Sequence, residues 1–252
     1  MRAAVGLLMA AVVLCVCTTS STGIDTPVSG EVTVFAASSL TDAFRQVGAE
    51  MTKANPNARL TFNFGSSSTL ATQITNGAPA DVFASADEAN MQKIVDAELT
   101  DGTPKAIASN RLQIAVAAGN PKKIAGLTDL ARSDVVLVLA APTVPAGKYA
   151  LDALAKAGVT ARPMSQEVDV RAVLNKVSLG EADAGIVYVT DVKSAAGRVT
   201  GVEIPPQDQV VARYPAAAVK GSKNAALANR FIDYLVSPNG QGILAEFGFS
   251  KP

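Results

Sequence analysis

The chain has 252 residues, with 22 basic and 22 acidic side chains and a hydrophobic content of 48%. This length and hydrophobicity allow one large domain, or two smaller ones, with a substantial core. The balanced charge excludes a broad basic surface for nucleic acid. The chain contains no histidine, which excludes Ser-His-Asp and Cys-His catalysis and most zinc sites.

Residues 1–16 are predicted to be a lipoprotein signal peptide. Met1-Arg2 precedes an apolar stretch that is too short to span a bilayer, as is typical of secretory signals. The run Leu14-Cys15-Val16-Cys17 resembles the lipobox of bacterial lipoproteins, so Cys17 is the predicted site of lipid attachment. The alternative is simple secretion with an unmodified cysteine. Residues 17–30, rich in Ser, Thr, Gly and Pro, are predicted to form a flexible tether.

Serine-rich segments follow two predicted strands at the point where each gives way to a helix. Residues 32–35 form a β-branched and aromatic strand followed by Ser38 and Ser39, and residues 60–64 form an alternating strand followed by residues 65–69. The first amides of a helix have no partner within it, and the helix dipole is positive there. If the strands are parallel neighbours, both junctions face one crevice, which indicates an anion site. The alternative is that one serine merely caps its helix.

Two aspartates after the second helix could be proposed as a carboxylate pair. Asp81 precedes the apolar run Val82-Phe83-Ala84, and Asp87 precedes a helix with apolar residues at helical spacing. We interpret Asp81 as a strand-entry residue and Asp87 as a helix cap.

The pattern changes near Ser109. Residues 112–116 and 135–139 read as strands, and helices are predicted to begin at Pro145 and, capped by Asp169, at Val170. Residues 186–189 read as a strand, residues 210–219 as a strand interrupted by Pro215, and residues 224–236 as a helix before a last short one. Alternating strands and helices predict an α/β fold. The breaks predict lobe I at 31–109 plus 207–252 and lobe II at 110–206.

An ordered set of motifs from residue 31 onward resembles the type II periplasmic solute-binding proteins, and specifically the molybdate-binding components of ABC importers. The resemblance implies two lobes, each a mixed sheet flanked by helices, with a ligand cleft between them. The motifs that carry it are Val34-Phe35-Ala36-Ala37-Ser38-Ser39-Leu40, Phe64-Gly65-Ser66-Ser67-Ser68-Thr69-Leu70, Gly77-Ala78-Pro79-Ala80-Asp81-Val82-Phe83, Val144-Pro145-Ala146-Gly147, Asp169-Val170-Arg171 and Gly185-Ile186-Val187-Tyr188.

The resemblance also implies a ligand set and a cellular setting. The implied ligand groups are the hydroxyls of Ser39, Ser67 and Tyr188 and the amides of Ala146 and Val170. The implied ligand is molybdate, and tungstate with it, and no cofactor is expected. The implied partners are an ABC permease and its ATPase. The protein is expected to be a monomer, lipid-anchored on the outer face of the bacterial cytoplasmic membrane.

The chemistry of these groups agrees with an oxyanion. A fully ionised tetrahedral dianion needs only donors, whereas monohydrogen phosphate would benefit from a carboxylate acceptor. Sulfate stays open as an alternative, as does an organic solute, although aromatic residues make up only 5% of the chain. A serine hydrolase is the other alternative, and against it the chain has no histidine, no Gly-x-Ser-x-Gly elbow and no Ser-x-x-Lys motif. We interpret Lys148 and Arg171, beside two of the amides, as solvated surface charges, the alternative being anion steering.

Overall fold

The computed structural model describes residues 28–252. Nine strands and eight α-helices are described in this range, with 3₁₀ turns at Ser38–Leu40 and Leu127–Ala131. In chain order they are β1 (Gly30–Ala37), α1 (Thr41–Ala54), β2 (Ala58–Gly65), α2 (Ser67–Thr75), β3 (Val82–Ala84), α3 (Glu88–Asp96), β4 (Thr100–Ala117), β5 (Leu137–Ala140), α4 (Pro145–Lys156), β6 (Ser165–Glu167), α5 (Val170–Ser178), β7 (Ala184–Tyr188), α6 (Val189–Ser194), β8 (Val199–Glu203), β9 (Val211–Val219), α7 (Ala225–Val236) and α8 (Pro238–Glu246).

The first sheet brings the two serine junctions together. Its strand order is β2-β1-β3-β9, followed by the first part of β4. Strand β1 runs parallel to β2, and their last residues, Ala37 and Gly65, are paired. Parallel neighbours end at the same edge of a sheet, so the two junctions start from adjacent positions. The structure thus meets the condition on which the anion-site interpretation depends, that the two strands are parallel neighbours.

Strand β4 connects the first sheet to the second. Its residues Thr100–Arg111 pair with β9, and Leu112–Val116 pair with β7. The second sheet continues through β5 to β6, with β8 on the other side of β4. The α/β fold of two mixed sheets flanked by helices is therefore confirmed. The position of the lobe boundaries, at residues 109/110 and 206/207, stays a prediction.

Aromatic packing holds α1 on the first sheet. Ala43, Phe44, Val47 and Met51 are buried, as their helical spacing requires. The ring of Phe44 meets that of Phe231 edge to face at a centroid distance of 5.3 Å. This packing fixes the start of α1, and with it the serine turn that precedes it.

Three local predictions are corrected. Strand β4 begins at Thr100, well before the predicted residue 112. The sequence does not indicate a strand there because these first residues are largely exposed and lack apolar alternation. Strand β9 continues through Pro215, at an irregularity in its register with β4, where a proline need not donate to the ladder. Strand β7 ends at Tyr188, and Val189, predicted as strand, begins α6.

The N-terminal predictions lie largely outside the described residues. These are the signal peptide, the attachment site Cys17 and all of the tether except its last three residues. Of those, Val28 packs against the core and its amide donates to Asn55 Oδ1 at 3.2 Å, and Gly30 begins β1. Within residues 28–252, none of the helices combines the length and hydropathy needed to cross a bilayer.

Candidate functional site

The first serine junction places Ser39 in a buried turn. Residues 38–40 form a 3₁₀ turn ahead of α1, and Thr41 Oγ1 closes it by donating to the Ser38 carbonyl at 2.7 Å. Ser39 is buried, and its Oγ lies 3.0 Å from the hydroxyl of Tyr214 on β9. Either oxygen can donate in that hydrogen bond. Tyr214 also accepts a long hydrogen bond, 3.5 Å, from Asn110 Nδ2.

At the second serine junction, Ser66 and Ser67 make different hydrogen bonds. Ser66 caps α2 by accepting from the Thr69 amide at 3.2 Å, so the capping alternative is correct for this residue. Ser67, the next residue, is buried, and its Oγ accepts from the Ala86 amide at 2.9 Å. Because the Ser67 oxygen already accepts a hydrogen bond from this amide, the hydroxyl proton is free to be donated to another group.

The second sheet contributes two helix starts. Val144 precedes α4, which begins with Pro145 followed by Ala146. Asp169 caps α5 as predicted, accepting from the Ala172 amide at 2.9 Å, and Val170 is the first helical residue. Amides in these positions have no acceptor within their own helices and lie at the positive end of the helix dipole.

Tyr188 presents a buried hydroxyl with no hydrogen-bond partner among the described residues. It ends β7, and its backbone amide donates to Asp191 Oδ2 at 3.0 Å. Burial raises the pKa of the Tyr188 hydroxyl well above its usual value, so the group remains protonated. An unpaired buried hydroxyl costs free energy, and such a group indicates a missing acceptor.

All five predicted ligand residues line one small cavity between the two sheets. No lining residue carries a charged side chain. The lining residues are Ala37, Ser38, Ser39, Gly65, Ser66, Ser67, Ala86, Val144, Pro145, Ala146, Val170 and Tyr188. Chemically, the cavity offers hydroxyl and amide donors from both lobes and no carboxylate.

The interpretation of Arg171 as a solvated surface charge is wrong. Its side chain is only 22% exposed and lies between two carboxylates, Asp42 Oδ2 at 2.8 Å and Asp191 Oδ1 at 2.9 Å. The Arg171 Nε–Asp191 contact is an ion pair without well-aligned hydrogen-bond geometry. Lys148 is exposed, as predicted, with its Nζ 5.7 Å from the centre of the Tyr149 ring.

The two aspartates proposed as a possible pair have separate structural tasks. Asp81 accepts from the Thr33 amide at 2.7 Å, at the entry to β3. Asp87 caps α3 by accepting from the Asn90 amide at 2.9 Å. The interpretation of these residues as a strand-entry residue and a helix cap is confirmed.

The sequence does not reveal several groups that contact the site residues and Arg171. These are Tyr214 beside Ser39, Ala86 behind Ser67, and the two partners of Arg171. No local pattern marks them, because they lie far from their partners along the chain. The one available signal was Arg171 itself, next to a predicted ligand amide.

Two sheets joined by the long strand β4, with a donor-lined cavity between them, define a two-lobe solute-binding protein. The chain belongs to the family of bacterial extracellular solute-binding proteins, whose profile matches residues 32–250. The predicted class, a binding protein rather than an enzyme, is therefore confirmed.

Two relatives cover nearly all of the chain. "Molybdate-binding protein ModA" of Mycobacterium tuberculosis is 42% identical over 98% of this chain and 95% of its own length. "Putative ABC transporter substrate-binding lipoprotein YvgL" of Bacillus subtilis is 29% identical over 93% of this chain and 92% of its own length.

Solved structures share the fold. The substrate-binding domain of a putative molybdenum ABC transporter from Clostridium difficile is 32% identical, with a TM-score of 0.67, over 88% of this chain and 99% of that one. Two more are similar in fold alone. The molybdate-binding protein of Azotobacter vinelandii (21% identity, TM-score 0.77) covers 88% of this chain and 99% of its own. The sulfate-binding protein SubI of M. tuberculosis (20% identity, TM-score 0.79) covers 88% of this chain and 86% of its own.

Proposed function

We propose that this protein binds molybdate, and tungstate with it, outside the cytoplasmic membrane and delivers the ion to an ABC importer. The hydroxyls of Ser39, Ser67 and Tyr188 and the amides of Ala146 and Val170 donate to the oxygens of the ion. The observation that carries the proposal is the buried Tyr188 hydroxyl, which has no hydrogen-bond partner within residues 28–252 and lines the same cavity as the two serines.

The energetics favour an ionised ligand. Hydrogen bonds to a charged group contribute about 1.5–3 kcal/mol each, so several of them can hold a dianion without a neighbouring arginine. A protonated oxyanion such as monohydrogen phosphate must also donate, and the cavity lining offers no carboxylate to accept its proton. Sulfate satisfies the same donors, and the fold of SubI makes it the competing ligand.

We propose the predicted lobe boundaries, 31–109 plus 207–252 for lobe I and 110–206 for lobe II. The change of partner strand along β4, from β9 to β7 after Arg111, supports them. The two lobes close over the ion, and strand β4 and the segment between β8 and β9 supply the connection between them. The partners are an ABC permease and its ATPase, and the protein acts as a monomer.

The proposed cellular location of the protein rests on its N-terminal sequence. We propose that Cys17 is acylated and that residues 17–30 tether the folded part to the outer face of the cytoplasmic membrane. The lipobox-like run and the name of the YvgL relative support this assignment. Expression with a radiolabelled fatty acid should label the wild-type protein and leave Cys17→Ser unlabelled. Equal labelling of both would contradict attachment at Cys17.

The ligand is tested by calorimetric titration with molybdate, tungstate, sulfate and phosphate. Molybdate and tungstate should bind tightly, sulfate more weakly, and phosphate not at all. Ser67→Ala should weaken molybdate binding by about 1.5–3 kcal/mol, since one charged hydrogen bond is lost. Ser68→Ala is the matched control, because Ser68 follows in the same helix but does not line the cavity. Tight phosphate binding, or equal effects of the two variants, would contradict the proposal.

A further inference from the structure

One ion pair connects the helices that begin on opposite sides of the cavity. Arg171 lies in the first turn of α5, directly after the proposed ligand residue Val170. Asp42 lies in the first turn of α1, three residues after Ser39. The guanidinium Nη2 donates to Asp42 Oδ2 at 2.8 Å. This hydrogen bond therefore joins the proposed lobe II to the proposed lobe I.

The other side of the guanidinium is fixed within lobe II. Arg171 Nε lies 2.9 Å from Asp191 Oδ1, whose side chain is fully buried. Asp191 also accepts from the Tyr188 amide through Oδ2 at 3.0 Å. The arginine is thus held by a residue that also contacts the end of β7. Because the guanidinium is planar and is oriented in advance, little side-chain freedom is lost when Asp42 arrives.

The partial exposure of the pair suits a contact that forms and breaks. The side chains of Arg171 and Asp42 are 22% and 37% exposed, so each can be solvated once the lobes separate. Asp191, in contrast, is buried and stays with the arginine. Other ion pairs, such as Lys105–Asp233 and Lys176–Glu167, join residues of a single proposed lobe.

We propose that Arg171 and Asp42 form a latch that holds the two lobes closed over the ligand. This inference rests on the proposed function, because it assigns the pair a role in retaining the oxyanion. Arg171 is a positioning residue: it does not line the cavity, and it acts on the ligand by keeping Val170 and Ser39 on facing sides of it. The latch forms on closure and sets the rate of release more than the rate of capture.

The test removes only the hydrogen bond between Arg171 and Asp42, which joins the two proposed lobes. Asp42→Asn keeps the size of the side chain and leaves the Arg171–Asp191 pair intact, whereas changing Arg171 would strand a buried carboxylate. Release of radiolabelled molybdate from the full chain is followed after a chase with unlabelled ion. Asp42→Asn should release it about three- to tenfold faster, with the association rate unchanged, as expected for a partly exposed charged hydrogen bond.

Asp233→Asn is the matched control. It breaks an ion pair of 2.6 Å with Lys105 inside lobe I and should leave the release rate unchanged. A release rate for Asp42→Asn equal to that of the wild type would overturn the latch. Equal acceleration by both substitutions would also overturn it, because the effect would then be one of charge or general stability.

A measurement without ligand separates the latch from the proposed function. Small-angle scattering of the ligand-free protein should give a larger radius of gyration for Asp42→Asn than for the wild type and Asp233→Asn. If the wild type binds no molybdate, the proposed function fails, and the scattering alone decides on the latch. Identical scattering of all three proteins would overturn it.

Discussion

Three of the buried hydroxyl groups that border the cavity are the proposed ligands, and they differ in the hydrogen bonds that their oxygens make. Ser67 accepts an N–H from Ala86, Ser39 is paired with Tyr214, and Tyr188 has no partner among the described residues. A hydroxyl whose oxygen already accepts a hydrogen bond has its proton free to donate. Ser67 is thus oriented as a donor by the Ala86 amide, Ser39 can donate to the ligand when Tyr214 donates to it, and the Tyr188 hydroxyl has no other acceptor among the described residues.

Tyr188→Phe removes the unpaired hydroxyl while keeping the ring. Molybdate binding should weaken by about 1.5–3 kcal/mol, since a hydrogen bond to a charged ligand is lost. The ligand-free protein should be at least as stable as the wild type, because a buried unsatisfied group disappears. Calorimetric titration and urea unfolding measure the two quantities. Tyr234→Phe, at a half-buried tyrosine of α7, is the control, and unchanged binding by Tyr188→Phe would remove this residue from the site.

Tyr214→Phe tests the orientation of Ser39. The tyrosine hydroxyl lies 3.0 Å from Ser39 Oγ and does not line the cavity, so its loss affects the ligand only through the serine. We expect binding to weaken by about 1 kcal/mol, the usual value of a neutral hydrogen bond. In a Ser39→Ala background the same substitution should have no further effect on binding. Additive losses in titrations of the double variant would contradict this role.

The pH dependence of stability should report on Asp191. Burial raises the pKa of its carboxyl from 3.8 to about 6, although Arg171 and the Tyr188 amide oppose the shift. The folded state then binds more protons than the unfolded state between about pH 4 and pH 6. This contribution to the free energy of unfolding is therefore complete at low pH and is lost as the pH rises, by about 3 kcal/mol at most.

Urea unfolding of the wild type and of Asp191→Asn at several pH values isolates that contribution. As the pH rises from about 4 to 6, the free energy of unfolding of the wild type should fall relative to that of Asp191→Asn. Other carboxylates titrate equally in both proteins and cancel. A difference independent of pH would show that Asp191 titrates at an ordinary pKa.

The first turn of helix α4 packs closely against the end of strand β5. A Cβ on Gly147 would overlap the carbonyl oxygens of Ala140 and Ala141, at the end of β5. Only glycine allows the first turn of α4 to approach the strand this closely. The approach places the Ala146 amide at the cavity.

Gly147→Ala should push α4 away from β5. We expect a loss of about 1–3 kcal/mol in the free energy of unfolding, as for other overpacked sites, together with weaker molybdate binding. Gly242→Ala is the matched control: this glycine also lies in a helix, α8, but a Cβ there meets nothing within 4 Å. The control should be neutral or slightly stabilising, because alanine is the better helix former. Equal stability of both variants in urea would contradict the close approach.

The sequence predicts those elements whose signals are local. The strand–serine–helix junctions are confirmed because strand alternation, helical spacing and hydroxyl-rich turns can each be recognised within about ten residues. The first half of β4 could not be predicted, since its pairing with β9 does not require an apolar pattern of its own. Likewise, Ser39 and Tyr214 are 175 residues apart, and Arg171 and Asp42 are 129 apart. Such contacts depend on topology.

The two lobes each supply part of the proposed set of donors. Ser39 and Ser67 belong to the first sheet and its helices, and Ala146, Val170 and Tyr188 to the second. Neither half alone surrounds the cavity. The proposed function therefore couples binding to closure, since a ligand held by this set of donors would contact both halves only when they are together.

Closure should be visible in solution. Saturating molybdate should reduce the radius of gyration of the wild type in small-angle scattering, because a ligand that contacts both lobes shifts the population toward the closed form. Sulfate at the same concentration should have a smaller effect if it binds more weakly. Identical scattering curves with and without molybdate would contradict hinge closure.

The most direct measurement is a crystal structure of the molybdate complex, with anomalous data collected at the molybdenum absorption edge. We predict a single strong anomalous peak in the cavity, with oxygens of the ion within hydrogen-bond distance of the hydroxyls of Ser39, Ser67 and Tyr188. A peak elsewhere on the protein, or an ion in the cavity that contacts the groups of only one lobe, would contradict the account.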